Sequence, residues 1–217
     1  RLSLVGYLDS THTGDISLNN LFSKTEWRPL PRFKADGLNV FTNIGTTIRA
    51  GEDIVRWKKS NGYIGNANDK LTHKGFRYYE ITAKNIPMDV YVVHMDADFY
   101  HPGDKAPEKD AEARKSQIKQ LLEYIENKPS KTPIIILGDT NTTDKWYWDV
   151  NNVKLLHDAG FTEAEQTEEK DVDRLFFKNN DKSLYEITGY TASYGKGGLS
   201  DHKPLIVDLH IERRKKK

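Results

Sequence analysis

Residues Ile134, Ile135, Ile136 and Leu137 are consecutive aliphatic side chains, so a strand built from them has no polar face. Such a strand is covered on both sides and lies centrally in its sheet. The run stops at Gly138, Asp139, Thr140 and Asn141. If the chain stays extended there, the acid and the amide, two residues apart, share one side. The sequence thus predicts a central strand that delivers polar groups at its exit.

Further strand-like runs, apolar and aromatic, lie at 37–44, 75–83, 88–95, 133–138, 172–178 and 204–211. Between two of them, residues 111–127 place Ile118, Leu121, Leu122 and Ile125 at helical spacing, with Pro129 just beyond. A shorter helix is predicted over 150–159, where Val153, Leu155 and Leu156 precede Gly160. No repeat or low-complexity linker divides the chain, so residues 1–217 are read as one domain of α/β (α+β) type.

Charge is nearly balanced, 33 basic against 32 acidic residues, so any nucleic-acid or membrane contact must be local. The absence of cysteine excludes disulfides and thiolate metal sites. No apolar stretch approaches the roughly 20 residues that span a bilayer, and RLSLVGYLDS lacks a signal-peptide pattern. The chain begins at Arg1 without a methionine, and a longer natural protein is expected.

The titratable residues cluster at strand ends. His94 follows MDVYVV and Asp139 follows PIIILG, whereas Asp173 precedes RLFFK and Asp201 with His202 precedes PLIVDLH. If all five meet at one rim, the last two strands run antiparallel to the first two, giving a mixed sheet. Carboxylates, imidazoles and an amide at one rim suit phosphoryl chemistry. Hard divalent cations take carboxylate oxygens and phosphate, and in-line attack by water needs a base, charge stabilisation and help for the leaving oxygen.

These residues carry a resemblance. LGDTN resembles the GDxN motif of the endonuclease/exonuclease/phosphatase superfamily, whose fold is deoxyribonuclease I-like, and LSDHKP resembles its terminal SDHxP motif. VVHMDAD is similar to its strand-end THxxA-like motif and VDRLFF to the Asp-bearing strand between them. HKGFRYYEI, with Lys74, Gly75 and Phe76, resembles the sphingomyelinase-like phosphodiesterase branch, and DGLNVFTNI resembles its GVAIxSK strand. The match spans about residues 36 to 211.

The resemblance implies a four-layer sandwich of two mixed, largely antiparallel sheets flanked by helices. It implies that Asp139 orients or deprotonates the attacking water and that Asn141 holds this water or the phosphoryl oxygen. Asp201 would help hold Mg²⁺, with Mn²⁺ or Ca²⁺ as alternatives. His202, oriented by Asp173, would stabilise the phosphate or move a proton, and His94 would donate to a nonbridging oxygen. The substrate is expected to be a lipid or other small phosphodiester, with DNA or RNA as the alternative; a noncatalytic binding module that keeps the fold is the reading from another class. Resemblance to secreted bacterial enzymes suggests a secreted or periplasmic location. The family's first-strand asparagine and its metal-binding glutamate have no counterpart here, since Glu26 in SKTEWRP ends no apolar run. A strand, a helix and a strand are therefore expected to be missing from the front, with the exposed edge covered by a partner or by the missing piece.

Trp146, Tyr147 and Trp148 follow the Asp139 loop and are read as packing or loop-anchoring aromatics, with a grip on lipid or stacking on bases as the sharper alternative. The polar loop 99–110 is expected to border a substrate groove. His12, His73, His101, His157 and His210 are read as surface or structural. The cations at 213–217 are read as a solvated tail, with an anionic membrane or nucleic acid as the alternative partner. Oligomeric state is left open.

Overall fold

In the computed structural model the described residues are 2–6, 27–29, 38, 40–43, 46–50, 54–61, 74–98, 107–165, 172–196 and 202–215. The strands that precede the first helix are β1 (Leu2–Gly6), β2 (Trp27–Pro29), β3 (Phe41–Asn43), β4 (Thr46–Ala50), β5 (Val55–Arg56), β6 (Gly75–Ala83) and β7 (Ile86–His94). Then come helix α1 (Pro107–Asn127), β8 (Ile134–Asp139), helix α2 (Tyr147–Asp158), β9 (Thr162–Glu163), β10 (Asp173–Lys178), β11 (Tyr185–Tyr194) and β12 (Leu205–Arg213).

A seven-stranded sheet runs β4-β6-β7-β8-β10-β9, with β5 also paired to β6. β8 sits between β7 and β10 and is almost entirely buried, as its aliphatic run predicts. β7 and β8 are parallel and the other pairs antiparallel. That one parallel pair follows from the crossover through α1, because parallel neighbours cannot be joined by a tight turn. β6 and β7 are joined instead by Lys84 and Asn85, both at positive φ (50° and 64°), as a hairpin that matches strand twist requires.

A second sheet, β1-β12-β11, is antiparallel throughout, and β2 pairs with β3 separately. Strand alternation sorts the core in two. Val90, Val92, Ile135, Leu175 and Phe177 point from the large sheet toward Val207 and Leu209 of the small one. Tyr91, Val93, Ile134, Ile136 and Phe176 point the other way, onto Ile118 and Leu121 of α1 and Leu156 of α2. The described residues thus form helices, large sheet and small sheet in layers, an α/β sandwich.

Several elements differ from the sequence expectation. α1 starts at Pro107 rather than 111, proline being well suited to a first helical turn. Part of the expected 99–110 loop is therefore helix, and 99–106 lie outside the described residues. α2 starts at Tyr147, so Tyr147 and Trp148 are helical. Among the described residues of the run 37–44, the three-residue β3 is the strand. β1, β2, β4, β5, β9 and β11 fall outside the expected runs; β11 alternates half-buried and exposed residues and carries Gly189, so it lacks an apolar stretch. The expected tail is partly structural: Arg213 closes β12, and the Arg214 amide donates to Leu184 O at 2.9 Å.

Candidate active site

In three adjacent strands the row facing the small sheet changes from apolar to titratable at the same level. Val90 and Val92 lead to His94, Ile135 and Leu137 to Asp139, and Phe177 and Leu175 to Asp173. The register makes this a line: His94 is opposite Asp139, and Asp139 is opposite Asp173. All three are buried. The expected mixed sheet is found for these residues.

His202 arrives differently. β12, which it precedes, belongs to the small sheet rather than to the mixed one, so the single-sheet arrangement does not hold. Its Nδ1 nevertheless lies 2.8 Å from Asp173 Oδ2. The cluster therefore closes the open end of the core between the two sheets. Asp201 lies outside the described residues.

Asn141 also reaches the site by another route than expected. The strand ends at Asp139, and Asn141 takes a left-handed φ of 49°, which asparagine tolerates better than most residues. Its amide N–H donates to Asp139 Oδ1 at 2.9 Å, an Asx-type turn, and its Nδ2 donates to Met95 O at 3.0 Å. Gly138 has a φ of 135°, which explains a glycine before the acid.

The strand ends are tied beyond the titratable groups. Met95 N–H donates to Asp139 O at 2.9 Å, Thr140 N–H to Val172 O at 3.0 Å, and the buried Trp57 Nε1 to His94 O at 2.7 Å. Gly75 lets β5 approach β6, since a Cβ there would collide with the Val55 carbonyl oxygen.

Burial, reinforced by the Asp173 carboxylate, pushes the Asp139 carboxyl up to about 7, against the pull of the Asn141 N–H, His202 and Lys74. Burial, with Lys74 and His202 nearby, pushes His94 down to about 3. His94 is therefore neutral near pH 7. Its Nε2 stands 3.5 Å from Asp139 Oδ2, too long for a good hydrogen bond. The pair is a neutral imidazole facing a carboxyl that exchanges its proton in the physiological range.

Lys74 is the residue that sequence reasoning passed over as a motif letter. It precedes β6 beside His94 in the register, donates to Met95 O at 3.1 Å, and its charge acts on both His94 and Asp139. Its place just before a strand of buried residues was the available signal. His157 and His210 stand apart as exposed side chains, and His157 contacts Phe161 O at 3.1 Å. His12, His73 and His101 lie outside the described residues.

The donors suit a hard cation in kind, since Asp139 and Asp173 are adjacent oxygen ligands whose mutual repulsion a cation would relieve. Among the described residues, however, no group of three or more His, Asp or Glu is arranged to hold a metal. Asp139 and Asp173 alone do not complete a shell.

No protein-family model matches the chain, and no curated protein matches it in sequence. Solved structures do match in fold. D. rerio TDP2 complexed with single strand DNA product aligns with a TM-score of 0.60 at 13% identity, covering 97% of this chain and 84% of that one. Beta toxin from Staphylococcus aureus aligns at 0.54 and 16% identity over 70% of this chain, and the mannosyl-6-phosphatase of Bacteroides thetaiotaomicron at 0.51 and 12% over 85% and 77%. The chain spans 61% of the toxin's length. The fold is thus the deoxyribonuclease I-like α/β sandwich that these structures share.

Proposed function

We propose that the chain is a divalent-cation-dependent phosphoester hydrolase acting on a lipid-type or other small phosphodiester. The observation that carries this is the in-register line His94, Asp139, Asp173 with His202 on Asp173, in which Asp139 is held near the pH where a general base works best.

In this reading Asp139 takes a proton from the attacking water, and Asn141, pinned by its turn and by Met95 O, holds that water or a phosphoryl oxygen. Neutral His94 donates a hydrogen bond to a nonbridging oxygen without adding charge. His202 shares a proton with Asp173 and stabilises or protonates the phosphoryl oxygens, and Lys74 adds positive potential. A bound Mg²⁺ would supply charge stabilisation, with Asp201, outside the described residues, and phosphate among its ligands. The mannosyl-6-phosphatase shares the fold, which supports phosphoester chemistry.

The lipid preference rests on Trp146, Tyr147 and Val150, which are exposed at the start of α2, just beyond the loop leaving Asp139. Amphipathic aromatics in that position suit a lipid–water boundary, where a secreted enzyme would meet its substrate. A nuclease is the second reading, favoured by TDP2 with its single strand DNA product, which covers nearly the whole chain.

Hydrolysis of bis-p-nitrophenyl phosphate, sphingomyelin and plasmid DNA, each with Mg²⁺ and with EDTA, tests both. Mg²⁺-dependent cleavage of sphingomyelin is expected. Cleavage of DNA alone reverses the order, and no turnover in any arm leaves a noncatalytic module.

A further inference from the structure

We propose that Arg114 is a positioning residue that fixes the spacing between the two strand-exit loops carrying the candidate catalytic groups. Its consequence for turnover rests on the hydrolase reading above; the positioning itself does not. Arg114 is fully buried on α1. Its Nη1 donates to Asp96 O at 3.1 Å, in the loop that leaves His94. Its Nε and Nη2 donate to the two carboxylate oxygens of Asp149 at 3.0 and 3.1 Å. Such a fork-on-fork pair fixes orientation as well as distance.

Asp149 Oδ2 in turn accepts the Thr143 N–H at 3.3 Å, in the loop that leaves Asp139. One planar cation thereby grips both loops. Asn141 bridges the same two loops through Met95 O. A second grip from α1 supports the first: Gln117 Nε2 donates to Asp96 Oδ1 at 3.0 Å, and Asp96 Oδ2 accepts the Asn61 N–H at 2.5 Å. Asp98 Oδ1, 2.7 Å from Nη2, adds charge on the outer side.

Apolar residues of similar size often replace a buried ion pair without loss of stability. They cannot hold the Asp96 carbonyl or the Thr143 N–H. A variant with Arg114→Met and Asp149→Leu therefore separates packing from positioning. In that variant, amide hydrogen exchange at Met95, Thr143 and the Asn141 side chain is expected to accelerate at least about tenfold, while Tyr91 and Ile136 in the strands keep their protection. On bis-p-nitrophenyl phosphate, kcat is expected to fall about tenfold or more at unchanged KM, as small misplacements do.

Unchanged exchange at Met95, Thr143 and Asn141 in a folded variant overturns the proposal. If wild-type protein shows no turnover, the hydrolase reading fails and exchange alone decides. Should the double variant not fold, Arg114→Lys gives the same comparison: it keeps the charge but not the fork, so faster exchange at the same three sites is expected and unchanged exchange refutes the role.

Discussion

Two buried polar groups lie at and just past the ends of β7 and β8, and they are built in opposite ways. Around Arg114 opposite charges meet in paired geometry, with Asp149 taking both arms of the guanidinium and Asp96 O a third N–H. Around Asp139 a carboxyl faces a neutral imidazole at 3.5 Å and a second acid in register. The first arrangement pairs its charges and holds backbone in place, although burial still pushes the Asp149 and Asp98 carboxyls up. The second leaves a desolvated acid under-compensated, at a cost in stability.

The sharpest way to break this contrast is to remove one partner from each group. Arg114→Ala leaves buried acids uncompensated and is expected to cost about 3–5 kcal/mol in urea denaturation. Asp139→Asn removes an unfavourable charge while keeping the acceptor for the Asn141 N–H, so stability at pH 8 should hold or rise. If it falls as far as for Arg114→Ala, the two groups are alike and the contrast is wrong.

In activity the order reverses for the site residues. With turnover in hand, Asp139→Asn and His202→Ala should each lower kcat roughly 10²-fold or more, the usual share of a general acid–base group. Unaltered rates in both folded variants would remove the catalytic assignment.

The pH dependence of stability sharpens the comparison further. Folded Asp139 titrates above its ordinary 3.8, at about 7, so it makes stability fall as pH rises through that window. Folded His94 titrates below its ordinary 6.5, at about 3, so it makes stability rise with pH over that window. Between 3.8 and 6.5 the two oppose, and their contributions cancel. Asp139→Asn should expose a rising slope and His94→Asn a falling one, each at most about 1.4 kcal/mol per pH unit. Denaturation midpoints across pH 4 to 7 read both; equal slopes in the two variants would show that the site lacks this opposition.

The smallest effect belongs to the surface. Tyr147→Ala should change stability by less than about 0.5 kcal/mol, yet weaken binding to sphingomyelin-containing vesicles. Full binding by that variant would detach the aromatics from the lipid reading.

Much of this was legible in sequence because the large sheet is buried on both faces. Runs such as 90–93 and 134–137 have no polar side to confuse them, and the acids or imidazoles that end them stand out. β11 was not legible, since a strand with Glu186, Thr188, Thr191 and Ser193 facing outward and Gly189 inside reads as loop. Nor was the Arg114 network. Asp110, Arg114 and Gln117 on α1 look like the solvated face of an amphipathic helix, and only the fold turns that face onto two loops. Asn141 was placed correctly beside Asp139 for an incomplete reason, because a turn rather than strand alternation brings it there.

The central claim is that Asp139 is a carboxyl whose proton is held far above the ordinary range by burial and by Asp173. A carbon-13 titration of aspartate carboxyls in cation-free protein, with Asp139→Asn to assign the signal, measures this directly. A midpoint near 7 is expected; a midpoint near the ordinary 3.8 would mean an unexceptional carboxylate and would contradict the account.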